Sequence, residues 1–96
     1  MPKFIIERNI PNAGKLSDEE IQKISAHSNK VIHDLVHEGK DTQWVESYIT
    51  GDKLYCVYNA PSADVVREHA RRGGFPADAV NQITRVIDPT SGEARA

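Results

Sequence analysis

Gly51 and Asp52 stand between two runs of strand-forming residues, Gln43 to Thr50 and Lys53 to Asn59. A Gly-Asp pair in that setting is a two-residue hairpin turn, so the middle of the chain is expected to form two antiparallel strands. The turn also sets a register. Ile49 falls opposite Leu54, Tyr48 opposite Tyr55, Ser47 opposite Cys56, Glu46 opposite Val57 and Val45 opposite Tyr58. Side chains alternate across a strand. One face of the hairpin is therefore expected to carry Val45, Ser47, Ile49, Leu54, Cys56 and Tyr58, and the other Trp44, Glu46, Tyr48, Tyr55 and Val57.

The flanking segments supply the rest of the fold. Lys3 to Asn9 reads as a short strand, broken by Ile10-Pro11-Asn12-Ala13-Gly14. Ser17-Asp18-Glu19-Glu20 is a capping box, and Leu16 can staple onto Ile21. The apolar positions Ile21, Ile24, Val31, Ile32 and Leu35, with Ser28 as a small substitute, keep helical spacing up to Glu38-Gly39. Ser62 caps a second helix that stops at Gly73-Gly74, ahead of Phe75-Pro76. The last strand lies within Ala79 to Ile87, and Asp88-Pro89 ends it. The order is strand, helix, strand, strand, helix, strand. With right-handed crossovers this is an α+β, ferredoxin-like βαββαβ fold: a four-stranded antiparallel sheet with two helices on one face. Residues 1–89 are expected to form the single domain and 90–96 a flexible C-terminal tail.

The chain has 96 residues, so the core is modest. The formal net charge is -2, which gives no reason to expect a nucleic acid or an anionic membrane as partner. Arg67, Arg71 and Arg72, beside Glu68, read as a solvated helix face. No apolar stretch approaches the roughly 20 residues of a membrane helix. The start of the chain lacks the order of a signal peptide. Cys56 is the one cysteine, so there is no internal disulfide. A cytoplasmic location is the expectation. Gly73-Gly74 ends a helix and does not open one, so no nucleotide cofactor is expected.

Two helices leave the other sheet face bare. On this register it shows Trp44, Tyr48, Tyr55 and Val57, an apolar patch of the kind that marks an interaction surface. The expected assembly is a homodimer of the dimeric α+β barrel type.

Several polar groups sit inside elements that otherwise read as core. If Phe4 and Ile6 face the helices, Ile5 and Glu7 join Glu46 on the bare face, where two carboxylates can ligate a divalent metal or serve as acid and base. His69 is expected to point toward the sheet from the second helix, from the opposite side to Glu7. Tyr48, Tyr55 and Cys56 are candidate pocket-lining residues. Cys56, on the helix side, reads first as a small hydrophobe, and as a nucleophile only with His69 as its base. His33 and His37 are spaced i, i+4, a chelating spacing, but face solvent with no third ligand.

Five stretches in order carry a family resemblance. They are Pro2-Lys3-Phe4 with Ile6-Glu7-Arg8, Trp44-Val45-Glu46-Ser47-Tyr48, Tyr55-Cys56-Val57-Tyr58 with Ala60-Pro61, Arg67-Glu68-His69-Ala70 with Gly73-Gly74-Phe75-Pro76, and Val86-Ile87-Asp88-Pro89. Together they resemble a family of small bacterial ferredoxin-like proteins of formerly unknown function, one branch of which is nickel-binding and nickel-responsive. The resemblance implies a homodimer and a nickel or other divalent metal cofactor. Glu7, Glu46, Tyr48, Cys56 and His69 match the family's recurring polar positions.

The leading expectation is a dimeric binding protein for a divalent metal or a small ligand at the sheet face or dimer cleft. Glu7, Glu46 and His69 would supply its polar contacts. The alternatives are a cofactor-free isomerase or monooxygenase with His69 or Glu7 as base, and an interaction module with no site.

Overall fold

Four strands and two helices follow one another in the expected order in a computed structural model that describes residues 1–94. Strand β1 is Lys3–Asn9, helix α1 Asp18–His37, β2 Gln43–Ile49, β3 Lys53–Asn59, helix α2 Ala63–Gly73 and β4 Ala79–Ile83. The sheet order is β2-β3-β1-β4, with every neighbouring pair antiparallel. This is the ferredoxin-like arrangement.

Local chemistry explains the boundaries. Ser17 Oγ accepts from the Glu20 amide, and the Glu20 carboxylate accepts from the Ser17 amide, so both halves of the capping box form. Gly39 follows α1 in the left-handed region at φ 81°, a conformation in which a β-carbon is strained. Ser62 caps α2 through the Val65 amide. Thr50 pairs with Lys53 across Gly51-Asp52, as the two-residue turn requires. That turn is also tied down: the Asn12 amide donates to Asp52 Oδ1 at 2.9 Å and the Gly14 amide to the Gly51 carbonyl at 3.0 Å.

The hairpin register agrees with expectation from Ile49–Leu54 to Glu46–Val57 and then departs from it. A bulge between Trp44 and Glu46 places Trp44, not Val45, opposite Tyr58. One extra residue reverses the facing of everything beyond it. Trp44 thus lies on the helix side, half-buried against the core, and Val45 is 45 % exposed. The bare face has lost its largest aromatic.

The core gathers Phe4 and Ile6 of β1, Cys56 and Tyr58 of β3, and Val66 of α2. Residues 89–92, at the junction with the expected tail, form an exposed 3-10 turn that Asp88 caps. The tail's residues 95–96 lie outside the described residues.

Candidate functional site

Alternation along β1 puts Phe4, Ile6 and Arg8 on the helix side. Arg8 is therefore carried into the interior, where it is 2 % exposed. Its Nη1 donates to the Pro76 carbonyl at 2.5 Å, and the guanidinium lies 5.3 Å from the centre of the Phe75 ring. Its Nη2 is buried and has no hydrogen-bond partner. The loop over Arg8 depends on two glycines. Gly74 ends α2 at φ 72°, and a β-carbon on Gly73 would come within 2.3 Å of the Phe75 ring.

Arg8 borders a cavity of about 520 Å³ between the first half of α1 and the helix side of β2 and β3. Ile21, Ile24 and Ser28 line it from α1, Trp44, Ser47, Leu54, Cys56 and Tyr58 from the sheet, and Phe75 from the loop. Ile24 and Ile49 are 37 % and 41 % exposed and mark its mouth. Leu16 and Ile21, expected to staple the start of α1, both face this space. Among the described residues, Arg8 is the one charged side chain on its wall.

His69 sits behind Ser28. It is fully buried, with Nε2 3.0 Å from Ser28 Oγ and Nδ1 without a partner. Its ring packs 5.1 Å from Tyr58 and 5.6 Å from Phe75. Burial pushes its pKa down to about 4, and the nearby Arg8 charge acts in the same direction. Burial pushes the Tyr58 hydroxyl up, with Arg8 and Ser28 opposing. At neutral pH both rings are uncharged beside a charged guanidinium.

The expected site residues are dispersed. Glu7 is on the bare face, held by Lys53 Nζ at 2.8 Å, and this pairing raises the lysine pKa. Glu46 accepts from the Tyr48 hydroxyl, whose pKa rises as a result. Tyr48 is 53 % exposed on that face, and Tyr55 is half-buried opposite Glu7. His69 faces the interior, so the three polar candidates do not converge within one chain. Of the three pocket-lining candidates, Cys56 borders the cavity and the two tyrosines do not. His33 and His37 stack with ring centres 4.1 Å apart, and His37 Nδ1 donates to the His33 carbonyl at 3.0 Å. Among the described residues, no three His, Cys, Asp or Glu side chains group so as to hold a metal ion. One chain's donors therefore do not fit a nickel site. None of the described helices is long and apolar enough to cross a membrane.

Sequence reasoning did not single out Arg8 or Ser28 as site residues. Arg8 was legible in principle, because it shares parity with Phe4 and Ile6. Ser28 is a small residue on the apolar stripe of α1, and its role becomes visible only when α2 brings His69 alongside.

Residues 4–83 match the family model described as "Nickel responsive protein SCO4226-like". The chain belongs to that family. A solved structure, SCO4226 from Streptomyces coelicolor A3(2), superimposes with a TM-score of 0.73 at 15 % identity, covering 88 % of this chain and 99 % of that one. At that identity the likeness establishes the shared fold. No curated protein matches the chain.

Proposed function

We propose that this chain is a small-ligand binding protein that holds a predominantly apolar molecule in the cavity between α1 and the sheet. The observation that carries the reading is a space of about 520 Å³ on the packed side of the sheet, walled mostly by apolar side chains. That volume is within the roughly 300–1,000 Å³ of small-molecule sites. The neutral dye N-phenyl-1-naphthylamine is expected to brighten on saturable one-to-one binding. Ile24→Trp, which fills the exposed mouth, is expected to weaken it about tenfold or more. Absence of saturable binding to the unsubstituted chain overturns the reading. The enzyme alternative would draw on the same space, but its bases, Glu7 and His69, are not on the cavity wall.

Family membership favours a second reading, in which the chain responds to or binds nickel. Two copies meeting through their bare faces would bring together two sets of Glu7 and Glu46, which one chain cannot do. A homodimer in the cytoplasm goes with this reading. Calorimetry with nickel on tag-free protein is the test, with one ion per two chains expected. Binding unchanged by Glu7→Ala and Glu46→Ala would place any nickel elsewhere.

A further inference from the structure

Among the described residues, Arg8 is a buried cation without an anion. The ion pairs among the described residues engage Lys23, Lys40, Lys53, Arg67, Arg72 and His33, and Arg8 is in none of them. Its contacts are the Pro76 carbonyl oxygen, the Phe75 ring and the Tyr58 hydroxyl, all uncharged, and Nη2 has no hydrogen-bond partner among the described residues. Buried charges are ordinarily paired, because removing one from water is costly unless an opposite charge or several hydrogen bonds replace the water. Among the described residues, no Asp or Glu lines the cavity that Arg8 borders. The compensating charge therefore has no source among the wall residues.

The rest of the wall narrows the kind of molecule. Trp44, Tyr58 and Phe75 present three aromatic rings, and Ile21, Ile24 and Leu54 the aliphatic remainder. Tyr58 keeps its proton and lies close enough to Arg8 to feel its charge, so its hydroxyl can donate to the same acceptor. Ser28 stands on the same wall. One positive charge and neutral donors in an otherwise apolar, aromatic space match a single carboxylate on a ring. They do not match a phosphate, whose second charge would find no partner.

We propose that the cavity takes an aromatic monocarboxylate, its carboxylate at the Arg8 guanidinium, the charged group that borders the space, and its ring among Trp44, Tyr58 and Phe75. This rests on the small-ligand reading above and specifies its ligand class. Bonds between a guanidinium and a carboxylate are charge-assisted and about twice as strong as neutral ones.

The test compares 2-naphthoate with its neutral isostere 2-naphthamide by calorimetry at neutral pH, with the quenching of Trp44, the one tryptophan, as a second readout. The acid is expected to bind about tenfold or more tighter than the amide. Arg8→Gln is expected to bring the two within about threefold of each other while N-phenyl-1-naphthylamine still binds. Arg8→Lys is expected to restore part of the preference. Equal binding of acid and amide by the unsubstituted chain overturns the proposal, even if Arg8→Gln fails to fold. If the neutral dye binds and the acid shows no advantage, the cavity reading survives and the carboxylate does not. If none of the three compounds binds, both fall.

Discussion

His69 and Ser28 show how one residue's environment governs stability. His69 is neutral in the fold because burial disfavours its charged form, and its pKa drops from 6.5 to about 4. Between those values the unfolded chain takes up a proton that the folded chain refuses. Stability therefore rises with pH across that window, is lost as pH falls through it, and is insensitive to His69 above it. A shift of that size is worth at most roughly 3 kcal/mol. Urea unfolding measured from pH 7 to pH 5 is expected to show the decline, and His69→Gln, which cannot titrate, is expected to flatten it. An unchanged slope in that variant would assign the titration to other groups.

At the scale of elements, the two halves of α1 are held differently, with Ser28, Val31 and Leu35 buried and Ile21 and Ile24 facing the cavity. Its first half faces the cavity, so capping bears more of the load there than it would in a fully packed helix. Ser17→Ala removes the bond to the Glu20 amide and is expected to cost about 1 kcal/mol. For a domain of this size that is roughly 4–8 °C in Tm, readable by thermal denaturation. A loss within error would mean that tertiary contacts alone secure the N-terminus of α1. The other end is tied to α2 by charge. Arg72 donates to both carboxylate oxygens of Glu38 at 2.6 and 2.7 Å and also pairs with Glu68, which Lys40 meets at 2.9 Å. These bonds hold Glu38 and Glu68 below the usual carboxylate range. The bulge in β2 acts at the same scale, because it moves Trp44 from the bare face to the cavity wall.

For the whole molecule, the sheet separates two surfaces of different character. The helix side holds the core, the cavity and the unpaired guanidinium. The bare side holds Glu7, Glu46, Tyr48, Tyr55 and Val57, with the acids tied to Lys53 and Tyr48. A homodimer through the bare side is expected to scatter light as twice the 10.7 kDa chain mass, and Tyr48→Arg, which puts a charge in its middle, to halve that value. A single-chain mass at tens of micromolar would remove the dimer. It would leave the cavity proposal untouched, because the cavity lies on the other face.

The fold was open to reading because its signals are local. The capping box at Ser17, the glycines after each helix and the Gly51-Asp52 turn act within a few residues, and with Phe4 and Ile6 facing the helices alternation along β1 puts Ile5 and Glu7 on the bare face. The hairpin faces were legible only as far as Glu46. A bulge is one residue of slippage that no pattern in Trp44-Val45-Glu46 announces, and it is set by how the strand packs. The candidate site was legible in part. Cys56 is expected on the helix side and borders the cavity, and Glu7 and Glu46 share the bare face while His69 comes from the helix side, the opposite-side arrangement that parity implies and that keeps them from forming one site. Short-range signals set the order of elements, most of their boundaries and most of their facing, although β4 stops at Ile83 and not at Asp88-Pro89. Packing in three dimensions settled that α1 stands off β2 and β3 to leave a space, that Ser28 meets His69, and that Arg8 goes into the interior with no acidic partner among the described residues. Those are contacts between residues far apart in the chain, and local propensity carries no information about which distant partner a buried group will find or lack.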